Sequence, residues 1–405
     1  MDEQRFDNVT RAVAAAMPRR SALAAIGGGF AALATLGRAL AQDDDATPTA
    51  DEAADGASVD PFASSRCKND GKKCKKNKDC CSGKCKNKKC KSSGGGSGKC
   101  KYGITYGTQW GGWGAGNQNF KNPRYVTTDT NDHVFVTDSG NWRVLVTDVN
   151  GKYQTQWGVQ WSQGNSMNND KFSFPTGIAA AKNSNDKWIV YVADKALSCV
   201  KRFNIDSNGN GIWKATWGSG NSSVQLSLNN PYGVAVGKSG TVYIADSGNN
   251  RIRVVDSDGD LDFDIYNGNG PLNGPRGVAV IDNNDASFIV VADTNNHRIV
   301  QFDLYGEYIK AFGSQGSGTS QFSSPGDVSV DKCGNVWVAD TDNNRVVVLD
   351  KNLKWNSSYS NAGRFPAGSG EGSGLSSPTS VNVDKNSHLF VVDSGNNRVF
   401  REDIS

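Results

Sequence analysis

The feature that most constrains this chain is a unit that returns at intervals of about 50 residues. Its fullest copy is Val242-Tyr-Ile-Ala-Asp246-Ser-Gly-Asn-Asn-Arg251-Ile-Arg-Val-Val-Asp256. It is a short apolar run, an Asp, a polar turn, an Arg and a second apolar run. The steps Asp138 to Arg143, Asp293 to Arg298, Asp340 to Arg345 and Asp393 to Arg398 repeat it. Asp194 to Cys199 is a degenerate copy, with Cys in the Arg slot. Pro123, Pro175, Pro231, Pro275, Pro325 and Pro378 open the units. A period of this length signals an array or a propeller, so the 405 residues are not to be divided by a typical domain size.

The unit opened by Pro231 shows the internal plan. Val234–Val236, Val242–Ala245, Ile252–Val255 and Leu261–Tyr266 are apolar runs, and Lys238-Ser-Gly240, Ser247–Asn250 and Ser257-Asp-Gly259 are turns between them. Short runs with hairpin-length connections predict an antiparallel meander. One such sheet cannot cover both of its faces, whereas a closed ring of them can. The ends of the chain point to closure. The sixth copy stops at Phe400–Ser405, after its third run. Tyr106-Gly-Thr-Gln-Trp110-Gly, ahead of the first Pro, mimics Tyr153-Gln-Thr-Gln-Trp157-Gly, the fourth run of the first copy. The expected fold is therefore all-β, a six-bladed propeller closed by its N-terminal strand. Turns between strands two and three share one face with the Gly-rich crossovers between blades. The remaining turns lie on the second face.

Pro-x-Gly-Val, apolar-Ala-Asp, Gly-Asn-Asn-Arg and the endings Trp157-Gly, Trp217-Gly and Phe312-Gly resemble the NHL-repeat family over residues 102–405. The resemblance implies a six-bladed β-propeller. In each copy the Asp is placed to accept amides of the turn, and the Arg, where present, to bridge to a carboxylate or to carbonyls. Asp138, Arg143, Asp194, Asp246, Arg251, Asp293, Arg298, Asp340, Arg345, Asp393 and Arg398 are accordingly read as scaffold rather than catalysis.

Some propellers with these repeats are lyases or hydrolases, so the residues must be tested for chemistry. The histidines are His133, His297 and His388. His133 and His388 take one slot near the second face, and His297 lies on the first, so together they cannot form one zinc site. The resemblance to an amidating lyase thus loses its metal. Closure brings blades one and six together, so His133 and His388 could be neighbours, but both are expected to be surface turn residues. No Gly-x-Ser-x-Gly elbow occurs. Asp206-Ser-Asn208-Gly-Asn210-Gly opens like a calcium loop but has Trp217 where a Glu ligand belongs, and it reads as a polar turn, as does Asp256-Ser-Asp258-Gly-Asp260. No cofactor is expected, with calcium or a channel metal held open. Trp110, Trp157 and Trp217 suit blade packing, while Trp113 and Trp161 are extra to the repeat and are candidates for a binding surface.

The chain begins differently. Arg11, Arg19 and Arg20 precede an apolar run, Ala22–Leu36, and Ala39-Leu-Ala41 offers a cleavage pattern. This resembles a bacterial twin-arginine signal, with Pro18 and Ala22 departing from its usual residues. Residues 1–41 are read as a signal peptide, leaving no transmembrane helix after processing, and 42–66 as an acidic linker. Residues 67–90 hold six cysteines at close spacing, read as a disulfide framework in an exported chain. Spacing alone leaves the connectivity open, and a zinc site is the rival reading. The adjacent Cys80-Cys81 pair resembles the knottin family, which implies the pairings Cys67–Cys81, Cys74–Cys85 and Cys80–Cys90. Residues 91–101 form a Gly/Ser/Lys linker.

Net charge is only +3 over the whole chain. Between Arg66 and Lys101, however, 14 Lys and Arg face only Asp70 and Asp79, a local net of +12. Such a surface attracts anionic envelope polymer, or is merely solvated. It lacks base-reading or stacking chemistry, so specific nucleic-acid recognition is not expected. Of the other cysteines, Cys100 and Cys333 are expected to pair and Cys199 to stay free. These readings describe a secreted or cell-surface bacterial protein. Its expected role is binding or scaffolding, with a propeller face taking a protein or glycan and the cationic knot acting as an electrostatic anchor. The alternative is a metal-dependent lyase or lactonase-type hydrolase with its site in the central channel. A purely structural envelope protein is a third class.

Overall fold

The computed structural model describes residues 104–404, apart from 164–165, 167–168, 219–221, 284–286 and 361–373, together with two short strands before them. Contacts divide the chain into two compact units, Met1–Gly95 and Gly96–Ser405. In the first, the strands Cys85–Lys86 and Lys89–Cys90 pair antiparallel, with Cys85 opposite Cys90. The signal peptide, the acidic linker and the disulfides expected among Cys67, Cys74, Cys80, Cys81, Cys85 and Cys90 lie outside the described residues.

The second unit is a ring of six sheets, each an antiparallel four-stranded meander, to which blade two adds a short parallel fifth strand, Val224–Gln225. Blade one runs Pro123–Thr128, His133–Asp138, Arg143–Asp148 and Tyr153–Trp157, from inner strand to outer. Blades two to five repeat that order, beginning at Pro175, Pro231, Val278 and Pro325. Blade six takes Pro378–Val383, His388–Asp393 and Arg398–Ile404 from the end of the chain and Ile104–Gly111 from its start. Arg398 pairs with Gly111, Val399 with Trp110 and Ile404 with Ile104. The ring is thus closed by hydrogen bonds between its two ends, leaving no open edge at the seam. Among the described residues no helix is long and apolar enough to cross a membrane.

The core is six separate seams, one between each pair of neighbouring blades. Blades one and two meet over Phe135, Val144, Trp157, Phe172, Val190 and Phe203. Blades six and one meet over Trp110, Phe120, Val136, Leu145 and Phe390. The alternating apolar pattern explains this, because each strand sends side chains to both neighbours. The outer-strand tryptophans join the seams through glycines. Trp110 lies over Gly151, Trp157 over Gly211 and Trp217 over Gly259, each in the turn region between strands three and four of the next blade. Gly259 has φ +92° and its Cβ would sit 2.8 Å from Trp217, so no other residue fits there without a shift.

Candidate functional site

The repeated Asp–Arg step builds the crossover face. Asp138, Asp246, Asp293, Asp340 and Asp393 are fully buried at the ends of second strands. A single 3-10 turn follows each, and its last position, such as Asn250 at φ 53°, is left-handed. That conformation suits the Asn found at most copies. The Arg directly after that left-handed position folds back: the Arg143, Arg251, Arg298, Arg345 and Arg398 Nε atoms lie 2.7–2.8 Å from the Asp carboxylates. The other carboxylate oxygen accepts a backbone amide. The donor belongs to the incoming crossover, not to the turn as the sequence suggests: Lys121 for Asp138 and Asn229 for Asp246, both at 2.7 Å. Burial pushes the Asp138, Asp340 and Asp393 carboxyls up, against the pull of these donors. The pair is therefore a clamp on the crossover loop.

Blade two lacks the Arg. Asp194 instead accepts the Ser173, Phe174 and Leu197 amides, and the cation it interacts with is the fully buried Lys201. Cys199 occupies the Arg slot as a buried free thiol, pushed up by burial and by Asp194.

The loop from blade six to blade one carries Trp113. Arg143 donates to the Ala115, Gly116 and Asn119 carbonyls, and Asn141 donates to that of Gly114. Trp113 bridges Phe120 in the backbone, yet its side chain is 65% exposed, with the Lys121 ammonium 5.4 Å from the ring centroid. The loop from blade four to blade five has the same architecture. Gln315 there bridges Phe322, Asn343 reaches Gly316, and Arg345 holds Ser317, Gly318 and Gln321. Gln serves that position, so the loop fold does not require an indole. Trp161 differs: it is half buried, with its indole nitrogen enclosed and without an acceptor. The two tryptophans are thus not equivalent, and only Trp113 is displayed.

The axis is plugged. The Tyr125 hydroxyl, from blade one, donates toward the Arg276 carbonyl of blade four at 3.2 Å and the Gly326 carbonyl of blade five at 3.1 Å. Asp327, on the inner strand of blade five, is buried; Ser380 Oγ donates to it at 2.7 Å and the Val381 amide at 3.2 Å. Burial pushes the Asp327 carboxyl up to about 7. Neither residue stands out in the sequence. The signal available was their shared place, two positions after the Pro that opens each unit.

His133 and His388 are not the surface turn residues expected. His133 is buried and its Nδ1 lies 2.8 Å from Asp129. His388 repeats this with Asp384 at 2.7 Å, and in blade five Asn335 takes the slot against Asp331. Each caps the hairpin whose carboxylate orients it. His297 accepts the Ser324 amide. With all three rings engaged in separate blades, they do not fit the metal of the amidating-lyase resemblance. Asp206 spends one oxygen on the Asn208 and Asn210 amides, and Asp256 does the same with Asp258 and Asp260. Among the described residues no group of three His, Cys, Asp or Glu side chains is placed to hold a metal ion. Cys333 is in a disulfide whose partner lies outside the described residues.

Comparison with known proteins agrees with this architecture. Residues 228–260, 272–302 and 322–349, in blades three to five, match the NHL repeat. Protein brain tumor of Drosophila melanogaster is 30% identical over 125 residues, which cover 30% of this chain and 12% of that protein. NHL repeat-containing protein 3 of Homo sapiens is 25% identical over 174 residues, covering 40% of this chain and 48% of that one. The chain thus spans less than half the length of either relative. A protein of unknown function from Bacteroides thetaiotaomicron superposes with a TM-score of 0.55 at 16% identity, over 75% of this chain and 76% of its own, a likeness of fold alone. Virginiamycin B lyase from Staphylococcus aureus reaches a TM-score of 0.48 at 11% identity, over 72% of this chain and 82% of its own. The fold class is a six-bladed β-propeller. The chain carries NHL repeats.

Proposed function

We propose that this chain is an exported bacterial binding or scaffolding protein whose crossover face is the contact surface for a protein or glycan. The observation that carries the reading is Trp113. A 65% exposed indole stands on a loop fixed by the Asp138–Arg143 clamp, at a position where the equivalent loop uses Gln315. A rigid aromatic anchor loses little conformational entropy on binding, and aromatic residues concentrate binding energy at contact surfaces. The Lys-rich segment between Arg66 and Lys101 adds a second contact, to anionic envelope polymer, and tethering the two raises avidity.

The test is co-sedimentation of the full chain with purified bacterial cell envelope across a salt series. Two contacts of this kind give binding with a salt-sensitive part, lost as charges are screened, and a salt-resistant part from the propeller. Binding abolished entirely by salt removes the propeller face from the account.

A further inference from the structure

We propose that the crossover-face end of the plugged axis is a binding site for a phosphate or sulfate group, built from Arg124, Lys195, Arg276 and the Tyr232 hydroxyl. Arg124, Tyr232 and Arg276 each follow the Pro that opens a unit, so blades one, three and four present them at the start of their inner strands. Lys195 comes from the blade-two turn. Its Nζ lies 2.8 Å from the Tyr232 hydroxyl and 4.9 Å from that ring's centroid. The Arg276 guanidinium is 5.0 Å from the same ring, and that of Arg124 lies 5.6 Å from the Phe174 ring. All of these side chains are half buried.

Three cations therefore converge from three blades, and none forms an ion pair among the described residues. Elsewhere in the ring the buried arginines face carboxylates: Arg251 meets Asp246 and Asp264, and Arg253 meets Asp264. Arg124 Nε, by contrast, is enclosed without any acceptor. Burial lowers the Arg124 guanidinium, and the charge of Arg276 lowers it further. The nearby carboxylate, Asp327, is spent on Ser380 and Val381. Holding like charges together without a counter-ion is costly, and an anion relieves that cost.

Lys195 also departs from the repeat in a way the scaffold does not need. In its slot, Ser139, Ser247, Thr294 and Thr341 donate to the Pro175, Pro275, Pro325 and Pro378 carbonyls, clasping each blade to the next. Blade two keeps a clasp by another route, because Thr176 Oγ1 donates to Pro231 O at 3.1 Å. The Lys is thereby released to this end of the axis. Two planar guanidinium forks and an ammonium, approaching from different blades, match oxygens that lie in more than one plane. A tetrahedral oxyanion offers that arrangement and a carboxylate does not. This site stands whether or not a macromolecule docks at Trp113.

The test is calorimetric titration of the full chain with inorganic phosphate, sulfate and acetate at constant ionic strength. Lys195→Ser installs the residue type of the other blades and preserves folding, which thermal unfolding checks; Arg276→Gln removes one fork. The expected result is saturable one-to-one binding of phosphate or sulfate, weakened about tenfold or more in each variant. The Lys-rich segment is untouched by these changes, so heat from it stays the same. Three results overturn the proposal: no saturable one-to-one binding, binding unchanged in both variants, or acetate bound as tightly as the tetrahedral anions.

Discussion

Glu402 accepts the Gly107 amide at 2.9 Å, across the seam where the two ends of the propeller chain meet. The register slips there, between Arg401 and Asp403, and a Cβ at position 107 would stand 2.0 Å from the Arg401 carbonyl oxygen. Gly107→Val should therefore strain the closing strand and cost about 1–3 kcal/mol. Chemical denaturation measures the loss, and limited proteolysis should cut first near residue 104. An unchanged unfolding midpoint would show that the seam does not hold the ring.

Glu402 and Asp327 also set a pH dependence. Burial pushes both carboxyls up to about 7, from 4.5 for Glu402 and 3.8 for Asp327. Between those limits the folded chain keeps protons that the unfolded chain releases. Stability should accordingly fall as pH rises from about 4 to about 7 and level off above, by at most about 1.4 kcal/mol per pH unit for each group. Asp327→Asn, neutral throughout and still able to accept from Ser380, should flatten its share of the slope. Urea midpoints at pH 5 and pH 8 decide this; a variant with the full wild-type slope contradicts it.

Much of the ring was legible because its causes are local. The Pro openings, the Asp-to-Arg step and the likeness of Trp110 to Trp157 follow from strand period and turn chemistry, and closure by Ile104–Gly111 followed from counting strands. The clamp's target was not legible, since the amides that Asp138 and Asp246 hold come from crossovers about 17 residues upstream. Nor was the axis. Tyr125 meets Arg276 and Gly326 only because the ring brings blades one, four and five to a common centre. His133 read as a surface residue because its partner, Asp129, looked like an ordinary turn Asp.

The clamp itself can be tested at blade three. Asp246→Ala removes the acceptor at Arg251 Nε and frees the Asn229 amide, while Asp264 still pairs with the guanidinium. Loss of a charge-assisted hydrogen bond with a buried donor left over costs about 1–3 kcal/mol. Guanidinium denaturation should show a loss in that range, and a loss of a few tenths would mean the clamp is dispensable.

The disulfide of Cys333 has an expected partner. Ile104 packs into the seam that holds Trp337, on the strand that follows Cys333. We expect Cys100 to be bonded to Cys333. Peptide mapping without reduction should join those two and find Cys199 alkylated only after unfolding, since its thiol is buried. A peptide joining Cys333 to a cysteine of residues 67–90 would contradict this pairing.

The most direct test of the contact surface is the salt-resistant binding of Trp113→Ala to purified cell envelope. The side chain is exposed and the loop is held by Arg143 and Asn141, so the variant should unfold like the wild type. Loss of one aromatic anchor should weaken the salt-resistant part by about 2 kcal/mol or more, roughly thirtyfold. Salt-resistant binding that survives Trp113→Ala unchanged would contradict the assignment of the crossover face.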